Sequence, residues 1–208
     1  ITKAASSRKA NPATDAMPTP LDVENQRFEF GDQWSAAFKY DDTTFYRKEA
    51  IRLQGDIDGV PQSTKAVDVV GLHDAAGLLF LEAKDFRGHR IANKPRIEGE
   101  VAVEVAVKGR DTIAALVGAS RKPVDEFPSE VLVAALQRGR DVTVVLWLED
   151  DSFRNAERAK QRLNTLNGVL KSKLAWLNVR TFVLSSSVAN RLPHLVVTNL
   201  PGAGQPNP

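Results

Sequence analysis

Residues 65–86, KAVDVVGLHDAAGLLFLEAKDF, hold two apolar runs joined by HDAAG. Short β-rich runs either side of a turn signal predict a hairpin. Near-continuous apolarity predicts a strand pair covered on both faces. Three charges break the pattern: Asp68 in the first run, Glu82 and Lys84 in the second. A buried charge costs several kcal/mol unless it is paired or coordinated. Side chains alternate across a strand, so Asp68 shares a face with Ala66, Val70 and Leu72, and Glu82 shares one with Phe80 and Lys84. Cross-strand neighbours stand about 4.5–5.5 Å apart at Cβ. Pairing around the turn therefore brings two carboxylates and an ammonium together on a rigid sheet.

Two acidic oxygens suit a hard divalent cation and leave coordination positions open for water and phosphate. The chain has no cysteine and three scattered histidines, His73, His89 and His194, which excludes disulfides and cysteine-held zinc and argues against a histidine cluster. A metal here would be held by carboxylates, which favours Mg²⁺ or Mn²⁺. A cation in that position lowers the pKa of water and offsets phosphate charge. The lysine could orient or deprotonate the attacking water, or stabilise the pentacovalent transition state.

Asp68, followed 14 positions later by Glu82-Ala83-Lys84 on the next strand, resembles the PD-(D/E)xK nuclease superfamily, which includes restriction endonucleases and junction resolvases. The resemblance covers roughly residues 43–150. It implies a restriction-endonuclease-like α/β fold (α+β in some schemes), a mixed central sheet flanked by helices, on an α-β-β-β-α-β core. It implies Asp68 and Glu82 as metal ligands, Lys84 as catalytic lysine, and a glutamate from the helix before the hairpin. Glu49 matches that last place, with Glu29 and Asp56 as competitors. Val67 stands where many members have proline, and the QxxxY motif of one branch does not follow Lys84.

The remaining chain alternates between strand and helix signals. RFEF and the runs DVTVVLWLED, VRTFVLSS and HLVVTNL read as strands. Helices are expected over 43–54, over IEGEVAVEVAVKGRDTIAALVGAS, over SEVLVAALQRG with Ser129 as cap, and over NAERAKQRLNTLNGVLKSKLAWL. Trp147 and Trp176 lie in apolar runs and are expected in the core. Residues 1–20 are expected to be a disordered or extraneous segment, with Met17 as a native start; 21–200 forms a single nuclease-like domain, and 201–208 a loose tail.

The net charge of +2 is a weak signal for nucleic acid by itself. Clustering matters more: Arg87, Arg90, Lys94 and Arg96 follow Lys84 directly and are expected to grip phosphates. The cations of the 154–177 helix read first as a solvated face, and Glu100 and Glu104 as residues that could face the site. No apolar run reaches the roughly 18–20 residues a membrane helix needs, so a cytoplasmic protein is the expectation. No GxxxxGK[ST], GxSxG or HExxH pattern occurs. The expected function is a Mg²⁺-dependent (or Mn²⁺-dependent) nuclease acting on DNA, as a homodimer or within a larger complex. The alternative is a non-catalytic nucleic-acid-binding or protein-interaction module on the same fold.

Overall fold

The computed structural model describes residues 18–52, 55–57, 60–88, 99–188 and 192–202. A mixed α/β arrangement is built around a five-stranded sheet. Its strands are β3 (Trp34–Lys39), β6 (Val69–His73), β7 (Gly77–Asp85), β8 (Val142–Glu149) and β9 (Arg180–Leu184), adjacent in that order. β3, β6 and β7 form an antiparallel meander; β8 and β9 run parallel to β7. A second, antiparallel sheet holds β1 (Leu21–Val23), β2 (Gln26–Phe30) and β10 (Leu195–Asn199). A small hairpin pairs β4 (Gly55–Ile57) with β5 (Val60–Gln62).

The helices are α1 (Thr44–Lys48), α2 (Val101–Ala119), α3 (Ser129–Leu136) and α4 (Ala156–Leu174). They cover one face of the large sheet, where Val70, Leu72, Leu78, Phe80, Val144 and Leu146 meet Val105 and Leu116 of α2 and Leu163 and Leu166 of α4. The small sheet covers the other face, where Leu79, Leu81, Ala83, Val145 and Trp147 meet Phe28, Phe30 and Leu195. Covering on both sides explains why the central strands are apolar at nearly every position.

The V-A-V-E-V-A-V segment, which alternates like a strand, is helical. Its buried residues Val101, Val105, Thr112, Leu116 and Ala119 recur at helical spacing. α2 comes close to the sheet at Gly109, where a Cβ would lie 3.4 Å from both methyl groups of Val144. The expected helix over 43–54 is shorter: α1 stops at Lys48 and a 3-10 turn covers Ala50–Arg52. Glu126 closes the start of α1 by accepting from the N–H groups of Thr44 (2.6 Å) and Phe45 (2.7 Å). α3 begins with Ser129 as its first helical residue, so Pro128, not Ser129, is its cap. Asn155 caps α4, its side chain accepting from the Arg158 N–H at 3.0 Å.

The hairpin turn falls on His73–Gly77, as the HDAAG signal predicts. His73 Nδ1 accepts from the N–H groups of Ala75 and Ala76, both at 3.1 Å. Gly77 has a φ of +81°, and a Cβ there would lie 2.1 Å from the Asp141 carbonyl oxygen. Only glycine fits that junction between the turn and the start of β8.

Candidate active site

β7 is the central strand, and its first seven residues, through Ala83, are buried. Val69 pairs with Leu81 and Val70 with Phe80. One step beyond, Asp68 stands opposite Glu82, on the helix-covered face that the alternation rule assigns to both. Backbone bonds fix this end of the hairpin. The Tyr40 N–H donates to the Asp68 carbonyl at 2.8 Å. Asp111 and Thr112 of α2 accept from the Lys65 N–H (2.9 Å) and the Val67 N–H (3.2 Å), holding the chain that leads into Asp68.

Glu82 is fully buried. Its Oε1 meets two ammonium groups, Lys84 Nζ at 2.7 Å and Lys108 Nζ at 2.5 Å. Its Oε2 has no hydrogen-bond partner among the described residues. Asp68 Oδ2 accepts from the Ala83 N–H at 2.8 Å, and its Oδ1 lies 4.0 Å from Lys108 Nζ. Lys84 Nζ is also 3.7 Å from a carboxylate oxygen of Glu24, a residue of the β1–β2 turn held at φ +52°. Lys84 and Lys108 thus face the carboxylates of Asp68, Glu82 and Glu24 in a half-enclosed cluster, and Glu82 Oε2 is left without a partner among the described residues.

Burial and the neighbouring Asp68 charge push the Glu82 carboxyl up to about 7, against the opposing pull of Lys84 and Lys108. Burial pulls Lys84 down, but the Glu82 carboxylate and its hydrogen bond hold the ammonium above its ordinary value. Asp41 is raised by burial and then by Asp68 and Asp42, which marks it as a third acid in the same electrostatic neighbourhood.

The donor set fits a hard dication. Glu82 Oε2, without a partner among the described residues, and Asp68 Oδ1, which meets only Lys108 at 4.0 Å among them, are carboxylate oxygens. Mg²⁺ typically takes only one or two carboxylates and completes its shell with water and phosphate. Among the described residues no group of three or more His, Cys, Asp or Glu side chains is arranged around one point. The fit therefore rests on two carboxylates.

The hairpin brings Asp68, Glu82 and Lys84 together; the other expected residues are placed differently. Glu49 ends α1 on the surface, pairs with Lys122, and contacts none of the three. Glu29 is exposed on β2, in the other sheet. Asp56 lies in β4. Arg87 is held by Asp85 at 2.7 Å, so its guanidinium is already engaged. Arg90, Lys94 and Arg96, with His89, lie outside the described residues. Glu100 is exposed and Glu104 half-buried at the start of α2.

On α4, Arg158, Lys160, Lys171 and Lys173 are exposed, in keeping with a solvated face. Trp147 is in the core, whereas Trp176 is 68% exposed, because the 3-10 turn after α4 carries it past the last buried residue, Leu174. Lys108, Glu24 and Asp41 were not singled out by sequence. Lys108 follows Glu104 by one helical turn, which was the available signal.

Among the described residues no helix is long and apolar enough to cross a membrane. Comparison with protein-family models, with curated proteins and with solved structures returns no match.

Proposed function

We propose that this protein is a Mg²⁺-dependent or Mn²⁺-dependent nuclease of the PD-(D/E)xK type that hydrolyses phosphodiester bonds, with DNA as the preferred substrate. The observation that carries this reading is the buried pairing of Asp68 with Glu82 across the hairpin, with Lys84 bonded to Glu82 at 2.7 Å. Three charges at one end of a covered hairpin are costly to fold around, and a shared cation and phosphate give them a use. The antiparallel meander followed by helix and parallel strand supports a restriction-endonuclease-like core. One difference stands: the strand beside β6 is β3, which precedes α1, whereas the family core starts with its helix.

In this reading the carboxylates of Asp68 and Glu82 would hold the cation. A dication bound there supplies Lewis acidity to phosphate and water. Lys84 acts as an ammonium, because Glu82 holds its proton on. It would orient the attacking water and stabilise charge on the phosphate. Water adds to phosphorus, the bond to the leaving oxygen breaks, and solvent takes the water's proton as the leaving oxygen gains one. The Glu49–Lys122 pair leaves Glu49 outside this scheme. Asp41, next to the Tyr40 whose N–H donates to Asp68, is the acid in the same electrostatic neighbourhood.

The test is cleavage of single-stranded and duplex DNA and RNA with Mg²⁺ or Mn²⁺ by wild type, Lys84→Ala and Asp68→Ala. We expect cleavage by wild type and a loss of about 10²-fold or more in each variant, the scale of one lost electrostatic contact to a transition state. Equal cleavage by all three overturns the site. No cleavage by any, with retained binding, gives the non-catalytic module.

A further inference from the structure

We infer that Lys108 is an internal counter-ion that bridges Asp68 and Glu82 in the metal-free protein and is displaced when a divalent cation enters. This inference rests on the proposed metal site and adds to it a residue that sets its affinity.

The geometry is specific. Lys108 Nζ lies 2.5 Å from Glu82 Oε1 and 4.0 Å from Asp68 Oδ1, so one ammonium touches both carboxylates that the dication needs. Lys84 differs: it meets Glu82 and Glu24, and no ion pair joins it to Asp68 among the described residues. Lys108 also comes from another layer of the fold. It sits on α2, where Gly109 lets the helix approach the sheet, and its side chain reaches inward to the strand. Lys84 stands on β7 two residues from Glu82 and is part of the strand's own pattern.

Charge counting gives the direction. Asp68, Glu82, Lys84 and Lys108 sum to zero. Adding a dication to side chains between 0% and 16% exposed would leave a positive excess there, even with the Glu24 carboxylate at 3.7 Å from Lys84 counted in. Like charges at these separations repel strongly where water is scarce. The bridging ammonium therefore leaves. A four-carbon lysine stem allows that motion without moving the helix. The cost of parting Lys108 from Glu82 is charged against metal binding, so the wild type binds its cation more weakly than the carboxylates alone would.

Calorimetric titration of Mn²⁺ into the full chain, without nucleic acid and at about pH 8.5, reads this directly. Wild type, Lys108→Met, Lys108→Gln and Lys108→Arg are compared, each checked for folding by circular dichroism. We expect the dissociation constant to tighten about tenfold or more in the Met and Gln variants and to stay near wild type in the Arg variant, which keeps the charge. An unchanged or weaker constant in both neutral variants overturns the counter-ion role and leaves the metal site standing. No Mn²⁺ binding by any form overturns the metal site and the counter-ion role together. Two neutral variants are used so that misfolding of one leaves the comparison with the other.

Discussion

The two faces of β7 share one backbone and nearly the same burial, yet they are built for different ends. On one face Leu79, Leu81 and Ala83 lie against the small sheet, and their contacts are wholly apolar. On the other, Phe80 continues the core while Glu82 and Lys84, one and two steps further along, replace it with charge. The first face gains free energy from every atom removed from water. The second is held by opposite charges that pair with one another, and it keeps a carboxylate oxygen, Glu82 Oε2, without a partner among the described residues. Within a single strand, one face is filled by the core and the other carries the charges on which the proposed site rests.

That contrast can be broken from either side. The largest stability effect should come from the apolar face. Leu81→Ala removes a fully buried side chain from the central strand and should cost about 2–5 kcal/mol, read from urea denaturation, while the Mn²⁺ dissociation constant of the folded variant changes by less than about threefold. A comparable loss of metal binding would mean that the two faces are not separable.

A smaller effect, and one confined to the charged face, should come from pH. With Glu82 pushed up to about 7, a proton and a dication compete for it. Mn²⁺ affinity should fall about tenfold per pH unit below about 7 and level off above it, as measured by titration in a pH series. The same shift sets the sign for stability of the metal-free protein. The folded state binds the Glu82 proton more tightly than the unfolded chain does. This contribution is present in full below about 4.5 and is lost as pH rises toward about 7. A metal affinity that ignores pH across this range would remove Glu82 from the ligand set.

The smallest effect should be at Glu49. Its partner Lys122 is exposed, and surface pairs contribute about 0–1 kcal/mol. Glu49→Ala should therefore shift the urea midpoint only slightly and leave Mn²⁺ binding unchanged. Asp41→Asn, by contrast, should alter metal affinity, and a reversal of this order would restore the helix glutamate to the site.

The hairpin was legible because a strand has a period of two, which puts Glu82 and Lys84 on one face, and because pairing around the HDAAG turn brings Asp68 to meet them. The turn was legible through HDAAG, and α2, α3, α4, β8 and β9 through their periodicity and length. The meander's first strand was not. β3 carries a register shift between Trp34 and Ala36, which puts Trp34 against the small sheet and Ala36 against the helices, so WSAAFK shows neither clean alternation nor a helical stripe. Lys108 was hidden for another reason. A helix reveals which residues share its face, but only the docking of α2 through Gly109 decides which strand residue a lysine on it will meet. Glu24 depends on a contact between two sheets, and Asp41 on the bond from the Tyr40 N–H to the Asp68 carbonyl, neither of which has any local signature.

The β1–β2 turn deserves a last consequence. Glu24 approaches Lys84, and the Asn25 side-chain amide donates to Asp85 at 2.8 Å, so two successive residues of the turn clasp two successive residues at the exit of β7. The clasp is mechanical as well as electrostatic. Lys84 is thereby tied to the small sheet as well as to its own strand.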